Sequence, residues 1–96
     1  MSTYFIARIT IHDPAGYERY LEGFDEVFAT FRGEVLAVDG SPVVLEGQWP
    51  CTRTVVIRFP ERDEALRWYR SPDYQALARH RLAAATADIV LVEGYD

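Results

Sequence analysis

Between Tyr4 and Ile11 only Arg8 and Thr10 interrupt an apolar run. Alternation along a strand puts them on one face with Tyr4 and Ile6, and leaves Phe5, Ala7, Ile9 and Ile11 on the other, so the pattern predicts a strand buried on at least one side. The periodicity then lengthens. Tyr17, Tyr20, Leu21, Phe24, Val27, Phe28 and Phe31 recur at three- and four-residue steps, which predicts an amphipathic helix. Asp13-Pro14 suits its N-cap and first helical position, and Gly33 its stop. Gly23 inside it costs about 1 kcal/mol relative to alanine, which suggests close approach of a neighbouring backbone.

Glu34 to Asp39 reads as a second strand, broken by the turn signal Asp39-Gly40-Ser41-Pro42, and Val43 to Glu46 resumes extended character before a loop over 47–51. Arg53 to Phe59 reads as a third strand, with Val55, Ile57 and Phe59 on one side and Thr54, Val56 and Arg58 on the other. Asp63 and Glu64 open a helix whose inward stripe holds Ala65, Leu66 and Tyr69, with Trp68 beside it. Ser71-Pro72-Asp73 starts another, because proline disfavours helical geometry in the residue before it. Tyr74, Leu77, Ala78, Arg81, Leu82 and Ala85 fall on the inner side of this last helix. Asp88 to Glu93 completes the set as a strand.

The order is that of an α+β ferredoxin-like βαββαβ fold, with the second crossover split into two helices and a four-stranded antiparallel sheet. All 96 residues are expected to form one domain. Helices can cover one face of such a sheet, yet Ile89 to Val92 and Val55 to Ile57 are continuous apolar runs, a pattern of strands buried on both faces. Ile6, Val56 and members of the Leu36/Val38 and Val90/Val92 sets would line the open face. A second copy packed sheet to sheet is the simplest cover, predicting a twofold homodimer that closes an α/β barrel.

Several pieces in this order resemble one family: Asp13-Pro14 with Tyr17 and Tyr20, Phe31 with Gly33, Leu45-Glu46-Gly47, Phe59-Pro60, Ala65 with Trp68-Tyr69, Ser71-Pro72-Asp73-Tyr74-Gln75, Arg81, and Leu91-Val92-Glu93-Gly94. The chain is similar to the domain of unknown function 1330 family, within the dimeric alpha-beta barrel superfamily, from about Tyr4 to Tyr95. The resemblance implies a ferredoxin-like subunit and a two-sheet barrel, and no particular reaction. Two departures stand out. Glu61 takes the place of a common capping serine, and Arg32 that of a common glycine.

Composition narrows the chemistry. A net charge of −5 with dispersed arginines argues against nucleic-acid partners. All ten basic residues are arginine, and without lysine neither Schiff-base catalysis nor covalently held pyridoxal phosphate is available. No cofactor and no metal site are expected, since two distant histidines and one cysteine show no metal-ligand spacing. Cys51 has no base near it in sequence. No apolar run approaches the roughly 20 residues of a membrane helix, so a cytoplasmic protein without membrane partners is expected.

Arg8 and Arg58 share the open face, where each needs a carboxylate; Glu34, Glu46 or Glu93 could supply one, or an anionic ligand could. His12, just before the helix cap, is the one candidate acid or base, weighed against a solvated turn histidine. Tyr17, Tyr20, Trp68 and Tyr69 could wall a ligand pocket or simply build core. The leading expectation is a homodimer binding a small organic, candidate carboxylated, molecule in the barrel or in the cleft between sheet and helices. A cofactor-independent isomerase or monooxygenase using His12 and Arg8 is the alternative, and a structural or stress-related interaction protein the second. A pocket containing His12 and Arg8 would favour the enzyme.

Overall fold

A computed structural model describes residues 1–96. The elements follow as β1 (Thr3–Ile11), α1 (Pro14–Phe28), β2 (Glu34–Asp39), β3 (Arg53–Phe59), α2 (Arg62–Tyr69), α3 (Pro72–Ala84) and β4 (Ala85–Glu93). The strands form one antiparallel sheet in the order β2-β3-β1-β4, the ferredoxin-like arrangement. Local chemistry sets the helix starts. The Asp13 carboxylate accepts from the Gly16 amide at 3.2 Å and Pro14 follows it. Ser71 Oγ accepts from the Tyr74 amide at 3.1 Å, with Pro72 next. Glu61 makes no side-chain cap.

The helices lie on one face of the sheet. Phe5, Ala7, Ile9, Ile57 and Phe59 point into that layer and are buried. Trp68 is its centre rather than a flank, fully buried against Phe5, Phe28, Phe59 and Tyr74 with ring centroids 4.3–5.5 Å away. Glu64 is buried beside it. Its carboxylate accepts from the Arg32 amide at 2.9 Å and from Arg67 at 2.9 and 2.8 Å, tying α2 to the segment before β2.

Several boundaries differ from expectation. α1 ends at Phe28, five residues before Gly33, whose missing side chain instead leaves room for Phe28 and Phe59. At Gly23 the close neighbour is the Leu77 side chain, not a backbone. Val43 to Glu46 is loop and joins no strand of the sheet. Leu82 faces solvent, and β4 begins at Ala85 directly from α3. A β-bulge sets both Leu36 and Ala37 opposite Val56, so Val38 returns to the helix side opposite Val55 and leaves the open-face set.

The open face is organised in rows. Leu36/Ala37, Val56, Ile6 and Val90 form an apolar row across all four strands. Glu34, Arg58, Tyr4 and Val92 flank it on one side, and Asp39, Thr54, Arg8 and Asp88 on the other. No helix of the chain covers this face, and Val90 remains 55% exposed. No helix is long and apolar enough to cross a membrane.

Candidate functional site

On the helix side, α1 and α3 stop short of the edge strand. Val35 and Val38 point toward them yet remain 43% and 48% exposed. Between β2 and α1 this leaves a cleft of about 380 Å³, floored by Phe5, Ile9, Val55 and Ile57 and walled by Tyr17 and Tyr20. Its size falls at the small end of the roughly 300–1,000 Å³ typical of small-molecule sites.

Three charged side chains reach this apolar space: Asp25 at an exposed position of α1, Arg53 from the start of β3, and Arg81 from the last turn of α3. Strand alternation explains Arg53, which shares its face with Val55, Ile57 and Phe59. Helical spacing explains Arg81, two turns after the buried Tyr74. Arg81 is only 3% exposed. Neither arginine has an ion-pair partner, since the ion pairs of the fold join Arg8 to Asp88, Arg32 to Glu61 and Glu64, and Arg67 to Glu64. The Nε atoms of both are buried without a hydrogen-bond partner.

Aromatic rings take up part of this charge. The Arg53 guanidinium lies 5.6 Å from the Tyr17 ring centroid and that of Arg81 5.8 Å from Tyr20. The Tyr20 and Tyr74 hydroxyls share a buried hydrogen bond of 2.8 Å. Burial pushes the Tyr20 phenol far up, and the adjacent Tyr74 adds to this, so it stays neutral. Burial also raises Tyr17, opposed by the charges of Arg53 and Arg81. Burial works against the charged form of Arg81, but the Tyr74 and Tyr20 oxygens outweigh it and its pKa moves up. The cleft therefore presents fixed positive charge and neutral phenols to whatever enters it.

The residues singled out from sequence are dispersed. Tyr17 and Tyr20 line the cleft. Trp68 is core, and Tyr69 packs beside it and Tyr74. Arg8 lies on the opposite face of the sheet, where its partner is Asp88 at 3.1 Å rather than any of the glutamates considered, with Trp49 5.3 Å from its guanidinium. Arg58, also there, donates from Nε to Ser2 Oγ at 3.2 Å. His12 is exposed at the end of β1, outside the cleft, and His80 is exposed on α3. Hence no pocket unites His12 with Arg8. Cys51 Sγ shares a hydrogen bond of 3.3 Å with the Thr54 hydroxyl. No group of three His, Cys, Asp or Glu side chains is placed to hold a metal ion. Arg53 and Arg81 were legible in part: one shares a face with an apolar strand, and the other has no acidic residue three or four positions away.

Solved structures share this fold. RPA0582, a protein of unknown function from Rhodopseudomonas palustris, superposes with a TM-score of 0.82 at 16% identity, covering 99% of this chain and 83% of its own. SnoaB, a cofactor-independent oxygenase from Streptomyces nogalater, gives 0.68 at 21% identity over 99% and 94%. A dimeric ferredoxin-like protein of unknown function from Thermobifida fusca gives 0.67 at 15% identity over 98% and 92%. No curated protein matches the sequence. With its family model matching residues 2–95, the chain belongs to the domain of unknown function family DUF1330.

Proposed function

We propose that this protein is a homodimer of one-domain subunits, each binding a small organic molecule in the cleft between α1 and the β2–β3 side of the sheet. The observation that carries the binding reading is the cleft itself: a mostly apolar concavity of about 380 Å³ beside converging polar groups, the usual build of a small-molecule site. An open space of this size favours binding over a purely structural role. For assembly, the apolar row on the open face is flanked by Glu34 and Arg58 on one side and by Asp39, Arg8 and Asp88 on the other, a layout that suits a protein interface with a dry centre and charged groups around it. The dimeric description of the Thermobifida fusca neighbour supports the same reading.

A thermal-shift screen of small metabolites, followed by a structure with the best hit, tests the proposal. Stabilisation with the compound seated against Tyr17 and Tyr20 is expected. Absence of any stabilising compound, or a ligand bound elsewhere, would refute it.

One observation favours a catalytic second reading, namely that SnoaB shares the fold over nearly the whole chain. In such an enzyme Arg53 and Arg81 would hold an anionic substrate for reaction with molecular oxygen, and His12 and Arg8 would stand aside. Oxygen uptake with a small organic anion that binds the cleft, lost in Arg53→Gln, is the outcome that supports this reading.

A further inference from the structure

A charge taken out of water is retained only where something compensates it, and a buried arginine ordinarily meets a carboxylate. Arg81 is 3% exposed, has no ion pair, and carries an Nε without a hydrogen-bond partner. Arg53, half-buried on the sheet side, shares two of these features: it has no ion pair, and its own buried Nε is unpartnered. Both line the same cleft. The tyrosines beside them offer cation–π contact, and the Tyr74 and Tyr17 hydroxyls accept from Arg81 and Arg53, but neutral phenols leave both Nε donors and the charges themselves unpaired. The one acidic residue of the cleft, Asp25, is exposed on α1 and pairs with neither.

We infer that Arg53 and Arg81 form an anion subsite, and that the cleft ligand is a carboxylate carrying a small, uncharged, apolar body. This rests on the reading of the cleft as a ligand site and names the class of ligand. Guanidinium donors match the geometry of a carboxylate. Tyr17, kept neutral by burial and lying against Arg53, offers a phenolic hydrogen to the same anion. Phe5, Leu21, Phe24, Val35 and Val38 receive the body, whose one charged end must face the arginines because the remaining wall offers it nothing.

The test is calorimetric titration of the full-length protein with straight-chain and phenyl-substituted monocarboxylates of four to ten carbons, each against its primary amide of nearly equal shape. At least one acid is expected to bind ten times more tightly than its amide, and Arg81→Met and Arg53→Met each to reduce that preference to about twofold, with the larger loss on the acid. Arg81→Met without ligand is expected to melt no lower than the unmodified protein, because it replaces an unpaired buried cation with a side chain of similar length. A melting point lowered by more than a few degrees would mark Arg81 as a structural cation and overturn its assignment. Acids and amides binding equally well would remove the anion subsite and leave the cleft a binding site. Binding of neither series would remove both.

Discussion

Val90→Asp tests the assembly, and its size can be worked from the open face. Val90 lies opposite Ile6 in the apolar row and is 55% exposed in the single subunit. Full burial of a valine contributes about 1.5–3 kcal/mol, so covering the remaining half contributes about 1 kcal/mol per copy. Twofold symmetry counts each change twice, giving about 2 kcal/mol per dimer from lost apolar burial. An aspartate at this position adds the cost of desolvating a carboxylate beside Ile6, which even after water penetration amounts to some kcal/mol per copy. Arg8 is already held by Asp88 and offers limited relief. The total of at least about 4 kcal/mol predicts roughly a thousandfold weaker dimerisation. Sedimentation velocity over a dilution series from high to low micromolar measures it, with Val90→Ala as the control that removes only the apolar part and weakens assembly by tenfold to thirtyfold. Circular dichroism should show an unchanged subunit fold. A wild-type protein that sediments as a monomer throughout, or a Val90→Asp protein that dimerises as tightly as wild type, would refute the reasoning.

Two further predictions concern the subunit. Glu64 is held down to a pKa of about 2 by its hydrogen bonds from Arg67 and the Arg32 amide, below an ordinary value of 4.5. Because the folded-state value is the lower one, its stabilisation is complete above about pH 4.5 and is lost as pH falls toward 2. The depression alone corresponds to at most about 3 kcal/mol, and exposure of Arg67 (59%) reduces this to about 1–2 kcal/mol. Urea melts should therefore find Glu64→Gln less stable than wild type by that amount at pH 7, with the gap narrowing below about pH 4.5 and closing as pH falls toward 2; a gap independent of pH would contradict the assignment. At Gly33 an added methyl meets Phe28 and, at 2.8 Å, Phe59, so Gly33→Ala should cost about 1–3 kcal/mol in the same assay, and a neutral result would show that the rings yield freely.

Much of the fold was written in short-range chemistry. Asp13-Pro14 and Ser71-Pro72 start helices through bonds to amides three residues on, and alternation assigned β1 and β3 their faces; neither depends on distant chain. The same alternation failed after Leu36, because the bulge exists only through pairing with Val56. Val43 to Glu46 had a strand's composition, yet it pairs with no strand. The candidate site shows the same division. Tyr17 and Tyr20 could be placed on an inner helix face from spacing alone, but which arginines are paired could not. Arg8 finds Asp88 across 80 residues of sequence, while Arg53 and Arg81 find no carboxylate at all. Sequence could establish which side of its own helix or strand each residue occupies, since backbone geometry repeats over a few positions. Where charges meet or go unmet, and where the helices leave the sheet uncovered, was decided by three-dimensional packing, because those relations join segments that no local rule connects.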